Sequence, residues 1–280
     1  MPTTSLHDAL YQKDGDEVIR RLRFLPTAAA QKDASGCLPL HLAIRLHAGS
    51  AMECLAVLAA NTSACEVPDK QRRLPLHLTL LYKAPPSVQL AVLVASPLAC
   101  GQKDIAGDTP LNLALVHEAP VEVQHAVLAA LPRACCETDK LYGNLPLHAA
   151  LQFKAPPMIQ LALLVLHPAA CATRNKCGQL PHDLGAECGA SVDIMTALRY
   201  HADIEAAVAD CAPWDVAARY SLAVGVLIAK GCATHRENGH QLQGQPRYFP
   251  GSVPPLSDDL SKALRQIAAA GKAADAISGI

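Results

Sequence analysis

The sequence predicts an all-α fold, a solenoid of stacked helix-turn-helix units with short hairpin-like turns, and three observations carry that expectation. The first is a phrase that recurs in phase: Leu38-Pro39-Leu40-His41, Leu74-Pro75-Leu76-His77, Thr109-Pro110-Leu111-Asn112, Leu145-Pro146-Leu147-His148 and Leu180-Pro181-His182-Asp183, with prolines 36, 35, 36 and 35 residues apart. A fixed period of about 20 to 50 residues marks an array whose units complete one another's cores. The second is composition: 51% of residues are apolar but only 4% are Phe, Trp or Tyr, so the core is built from Ala, Leu, Val and Cys. That mixture favours closely packed helices over an aromatic-rich sandwich. The third is that each unit holds two helix-period segments separated by a proline-rich break.

Residues Ser5 to Lys32 form a degenerate first unit, in which Leu6-His7 precedes Leu40-His41 by 34 residues and Asp14-Gly15-Asp16 divides two segments. Val18, Leu22 and Leu25 share one helical face, and Arg20, Arg21 and Arg23 occupy the rest, as suits a terminal unit with a solvated outer side. From Asp33 each unit opens with a polar turn, usually with a glycine three residues before the proline: Gly36, Gly107, Gly143 and Gly178. Glycine supplies the positive φ of such a turn. Arg72 stands in that place in the third unit, which predicts a strained or differently shaped turn.

The proline then starts a short helix, as in Leu76 to Tyr82, where its missing N–H costs nothing. A second break follows at Ala84-Pro85-Pro86, Ala119-Pro120 and Ala155-Pro156-Pro157, with His47-Ala48-Gly49 in the equivalent place of the second unit. Longer helices are predicted over Val88 to Ala95, Val121 to Leu131 and Met158 to Leu166, ending at Pro97, Pro132 and Pro168 and followed by an extended return. Cys65, Cys100, Cys135 and Cys171 recur just after this point. Equivalent positions in a packed helical stack lie about 10 Å apart, beyond the roughly 7 Å at which a disulfide closes, so these cysteines are expected to be buried packing residues.

These features resemble the ankyrin-repeat family, in which Thr-Pro-Leu-His recurs with a period of about 33 residues. The resemblance covers about residues 3 to 202, in units 3–32, 33–68, 69–103, 104–138, 139–173 and 174–202. Four units have Leu in place of the family's Thr, and the unit that keeps Thr109 has Asn112 in place of His. About two extra residues fall in the proline-rich turn, which implies a longer, stiffer turn and altered curvature. The resemblance implies that His41, His77 and His148 are structural residues bonded to backbone. A zinc site needs its ligands within about 2.0–2.3 Å of one ion, and stacked copies stand a repeat apart.

The family binds proteins with its turn tips and the open face of its first helices. Carried over by position, the tips are Ala34, Ser35, Lys70, Gln71, Arg73, Ile105, Ala106, Asp108, Leu141, Tyr142 and Asn144. The helix positions are Arg45, Leu46, Leu81, Tyr82, Val116, His117, Gln152 and Phe153. Leu46, Leu81, Tyr82, Val116 and Phe153 form an apolar strip in consecutive units, and such a strip marks an interaction site when exposed; aromatic and Arg residues dominate hot spots. The candidate partner-binding set is thus Leu46, Arg73, Leu81, Tyr82, Ile105, Val116, His117, Leu141, Tyr142, Gln152 and Phe153. Two readings of the strip stand at this point: an exposed groove, or a face rotated into the core by the longer turn. Tyr142, in a tip one residue longer than the others, is either an anchor or folded back on its neighbour.

The period ends near residue 202. Asp203 to Asp210 and Asp215 to Lys230 read as helices that cap the array within 203–230, with an interfacial membrane helix as the competing reading. Residues 231–256 read as a loop or linker and 257–280 as a helix and tail. Ser257-Asp258-Asp259 is a helix-start signal, and Leu260, Leu264 and Ile267 make a stripe for docking or for a detachable arm. Cys211, Cys232, His235 and His240 are conceivable zinc ligands whose spacing matches no paired-ligand pattern.

The formal net charge of −1 and pI near 6.8 give no basic field for nucleic acid. Eleven cysteines without a leader segment point to a reducing, intracellular and cytoplasmic setting. No stretch reaches the roughly 18–20 apolar residues of a membrane span; Val216 to Ala229 contains Arg219. Phosphate loops, nucleophile elbows and HExxH patterns do not occur. The expectation is a monomeric, non-catalytic scaffold or adaptor for a protein partner, with no cofactor, metal or small-molecule substrate. A structural subunit of an assembly is the alternative, and an enzyme seated in the last quarter a more distant one.

Overall fold

The computed structural model describes residues 5–46 and 50–211, with Asp215, Ala218, Arg219, Leu222, Ala223 and Val226. The described residues form α-helices and 3-10 turns and no strand. They divide into two compact units, one ending at Leu131 and one beginning at Pro132.

The first unit holds four helix pairs. They are α1 (Leu6–Tyr11) with α2 (Gly15–Phe24), α3 (Pro39–Leu46) with α4 (Ala51–Ala60), α5 (Pro75–Leu81) with α6 (Pro86–Ala95), and α7 (Pro110–Val116) with α8 (Val121–Ala130). The first helices of the pairs pack in one row and the second helices in another. The second unit repeats the plan with α9 (Pro146–Gln152), α10 (Pro157–Leu166), α11 (Pro181–Cys188) and α12 (Val192–Arg199). There α13 (His201–Val208), close to the predicted Asp203 to Asp210, packs on α10 and the turn Pro168–Ala172. In the first unit Leu40, Leu42, Ile44, Leu76, Leu80, Leu111 and Leu115 are fully buried, each contributing about 2 kcal/mol of apolar burial.

The helix entries explain the recurring phrase. Leucine has no side-chain acceptor, so the histidine three residues on takes over: the backbone N–H groups of Leu38, Leu74 and Leu145 donate to Nδ1 of His41, His77 and His148 at 3.1, 3.2 and 3.2 Å. With Nδ1 accepting, the proton sits on Nε2, which donates to the Val67 carbonyl from His41 (2.8 Å) and to the Gln102 carbonyl from His77 (3.1 Å). Each of these two rings ties its helix to the return at the end of its own repeat, the structural role that the resemblance implies. Asp183 does the capping half in α11, accepting from Leu180 N–H at 2.9 Å. In α7 the roles reverse, and Thr109 Oγ1 accepts from Asn112 N–H at 3.3 Å.

The turn between paired helices uses a device that the proline count hides. Lys13, Lys83, Glu118 and Lys154 are left-handed, with φ between 50° and 55°. Lys83 N–H donates to Leu80 O and Ala84 N–H to Thr79 O, the paired bonds that terminate a helix after a left-handed residue. The alanine that follows each of Lys83, Glu118 and Lys154 is buried, and Gln89, Gln124 and Gln160 donate from Nε2 to the carbonyls of Ala84, Ala119 and Ala155 at 2.6, 2.6 and 2.7 Å.

One expectation needs correction, and one that stood open is decided. The return is not extended: Pro97–Gly101, Pro132–Cys136 and Pro168–Ala172 are 3-10 turns, as are Pro26–Ala30 and Thr62–Glu66. Proline at the first position of all but Thr62–Glu66 presets the φ they need. The Arg72 turn is strained but not differently shaped. Arg72 has φ 58°, its N–H donates to Asp69 O as Gly36 N–H donates to Asp33 O, and the cost is about 1 kcal/mol for a side chain in that region.

Cys65, Cys100, Cys135 and Cys171 are buried at the ends of these turns. Burial pushes the thiols of Cys65, Cys100 and Cys171 up to about 12. No helix among the described residues is long and apolar enough to cross a membrane. Most of Asp215 to Lys230, the 231–256 linker and the helix predicted from Ser257 lie outside the described residues.

Candidate protein-interaction face

The candidate strip falls at the C-terminal ends of the first helices, and the helix-ending device sets its exposure. In α5 Leu80 is buried, Leu81 half-buried and Tyr82 exposed at 38%; Tyr82 is the C-cap, donating its N–H to Leu78 O just before left-handed Lys83. In α7 the order is buried Leu115, exposed Val116 (37%) and half-buried His117, again the C-cap. In the second unit Leu151 is buried, Gln152 exposed and Phe153, the C-cap of α9, half-buried. Leu46 is half-buried. The chain leaves the core in two residues at each helix end, so an apolar side chain there stands against water on one side. His117 is held neutral, its pKa lowered by burial and then by the nearby Lys83 ammonium.

The tips are built around an acidic or amide side chain that gathers backbone donors. Asp139 Oδ1 accepts from Tyr142 N–H (2.6 Å) and Gly143 N–H (3.1 Å), while Oδ2 accepts from Asn144 N–H (3.1 Å). This cradle pushes Leu141 and Tyr142 outward, 71% and 52% exposed. Neighbouring tips are joined by single backbone bonds, Ile105 N–H to Gln71 O and Lys176 N–H to Tyr142 O at 3.0 and 2.8 Å. Ile105 is 59% exposed beside its bond. Ala34, Ser35, Lys70, Gln71 and Ala106 are also exposed.

Two tip residues have internal tasks. Arg73 is half-buried with Nε 3.5 Å from Asp104 Oδ2, an ion pair without hydrogen-bond geometry. Asn144 is buried and its Oδ1 accepts from Asn175 Nδ2 at 3.0 Å; it is no surface residue, because the lengthened tip turns it inward toward the next repeat.

Sequence reasoning missed an apolar patch at the first repeat. Phe24 and Leu25 are 78% and 58% exposed and border a groove of about 560 Å3 with Leu6, Arg20 and Arg21. Glu17 pairs with both arginines, so the predicted charged outer face exists but leaves Phe24 bare. The signal was the phenylalanine in the last turn of α2. Among the described residues no group of three His, Cys, Asp or Glu side chains converges as a metal site would; of the conceivable zinc ligands, Cys211 alone is described.

No family model matches the sequence, and no curated protein matches it. Solved structures do. A chain from the complex of the predatory endopeptidase Bd0816 of Bdellovibrio bacteriovorus with immunity protein Bd3460 is 20% identical over 71% of this chain and 98% of that one, with a TM-score of 0.52. The ankyrin repeat domain of Bcl-3, a member of the IkappaB protein family, is 19% identical over 71% and 99%, with a TM-score of 0.45. The recurring His-capped helix pairs and the glycine or arginine tips make the fold an ankyrin-type, all-α repeat array.

Proposed function

We propose that this chain is a non-catalytic scaffold or adaptor that binds a protein partner through the C-terminal ends of its first helices and the tips beside them. The observation that carries the reading is that the last helical residue or the C-cap of these first helices is an apolar side chain at least partly open to water: half-buried Leu81 and exposed Tyr82, then exposed Val116, and half-buried Phe153. Isolated exposed leucines are ordinary on any surface; apolar side chains partly open to water at the first-helix end of several repeats are a binding-face pattern. An ankyrin-type fold in general serves protein-protein contact, and the Bd0816 structure is itself a complex with an immunity protein. Fold alone does not choose the partner.

Affinity capture from native extract with the full chain, run beside a Tyr82→Ala, Tyr142→Ala, Phe153→Ala variant of equal stability, tests the reading. Specific partners should be lost from the variant. Recovery of the same set at the same yield would place binding elsewhere.

A further inference from the structure

Arg72 occupies a backbone position that the equivalent turns give to Gly36, Gly107, Gly143 and Gly178, whose φ values run from 64° to 86°. Its turn keeps the bonds of its sisters, and the arginine side chain has no hydrogen bond or ion pair among the described residues to offset the strain. Strained residues cluster where a side chain has a task outside the fold. Here the side chain lines a groove of about 360 Å3 between this tip and the following 3-10 turn.

The groove has a definite chemical character. Pro68 and Leu98 give it an apolar wall, and Leu98 is 69% exposed. Arg72 and Lys103 supply positive charge, Ser96 and Gln102 polar groups, and Glu66 is the one acid among the lining residues. The other nearby carboxylates are committed: Asp69 Oδ1 accepts from the N–H groups of Gln71 and Arg73, and Asp104 Oδ1 accepts from Asp108 N–H while Oδ2 faces Arg73. Lys70 adds a further exposed cation on the same turn.

We infer that this groove docks an extended acidic segment of a partner protein, with a carboxylate at Arg72 and an adjacent apolar side chain against Leu98. The groove shares the tip of Lys70 to Arg73 with the proposed binding face but not the C-cap strip, so the Tyr82→Ala, Tyr142→Ala, Phe153→Ala variant leaves it intact and failure of one reading is distinguishable from failure of the other. An apolar wall beside a cationic rim matches a peptide of alternating character better than an inorganic anion, which would leave Leu98 uncovered.

The test uses the full chain with fluorescein-labelled (Glu-Leu)4 and (Gln-Leu)4 peptides, followed by anisotropy. Wild type should bind the acidic peptide about two- to fivefold tighter, the worth of one partly exposed ion pair, with affinity falling as salt rises. Arg72→Gly should lose that preference and melt about 2–4 °C higher, because the strain is relieved. Arg72→Lys, which keeps charge and strain, should bind within about twofold of wild type. The inference is overturned by no binding, by equal affinity for the two peptides, by an Arg72→Gly protein that still prefers the acidic one, or by one that melts lower.

Discussion

Replacing His77 with Leu tests whether the recurring histidine holds the array together. The ring is fully buried. Its Nδ1 accepts from Leu74 N–H at 3.2 Å and its Nε2–H donates to Gln102 O at 3.1 Å. Leucine fills similar volume but makes neither bond. Leu74 is buried, so its orphaned N–H costs about 1–3 kcal/mol, while the more exposed Gln102 carbonyl costs only the net bond, about 1 kcal/mol. The expected loss is about 2–4 kcal/mol, read as a shift of the urea midpoint at pH 7.5.

The same geometry fixes the pH response of this residue. Burial lowers the pKa of His77 more than its backbone bond and Asp104 raise it, so the folded ring resists the proton that the unfolded chain takes up near 6.5. The stability it contributes is complete above about pH 6.5 and is lost as pH falls toward the lowered folded value, by at most about 1.4 kcal/mol per pH unit. His41 and His148 are lowered by burial in the same way. Wild type should therefore lose stability steeply from pH 7 to 5, and the gap between it and His77→Leu should narrow over that interval. A His77→Leu protein within about 0.5 kcal/mol of wild type at pH 7.5, or a gap that does not change with pH, would refute the capping account.

Asn112 is buried with both side-chain amide atoms unpartnered. Asn112→Leu should raise stability by about 1–3 kcal/mol in the same denaturation assay, and a loss would show that the amide has a task. Cys136 is exposed, and its thiol is lowered to about 7 by the hydrogen bond from Cys135, with the sulfurs 3.9 Å apart, against the opposing effect of burial. Iodoacetamide should modify it with an inflection near pH 7, and Cys135→Ala should move that inflection up toward 9.0, the thiol's ordinary value; an unmoved inflection contradicts the pairing. Buried Cys65, Cys100 and Cys171 should stay unmodified in the native protein.

The repeat period, the helix pairs and the histidine role were legible in the sequence because each is a local rule repeated in phase. Pro75 and His77 announce a helix entry wherever they occur, since one presets φ and the other supplies an acceptor. The left-handed Lys83 was not legible: lysine has no preference for that region, and the packing of Ala84 against the helix end imposes it. The 3-10 turns escaped for a similar reason, as Pro97 ends a helix and begins a tighter one with the same φ. In the candidate face, position alone pointed to Tyr82 and Tyr142, but the sequence left open whether the strip faced inward. Two residues of helix end decide it, and they do so through backbone bonds that no side-chain pattern records. Asn144 misled because a tip longer by one residue rotates it inward onto Asn175.

The central claim, that partner contact occurs at the first-helix C-caps, is tested most directly by placing a photocrosslinking phenylalanine analogue at Tyr82, and in a second protein at Met52, an exposed residue on the second-helix row. Irradiation of native extract should give a discrete crosslinked partner from position 82 and none from position 52. Crosslinks of equal yield at both positions, or at 52 alone, would contradict the assignment of the binding face.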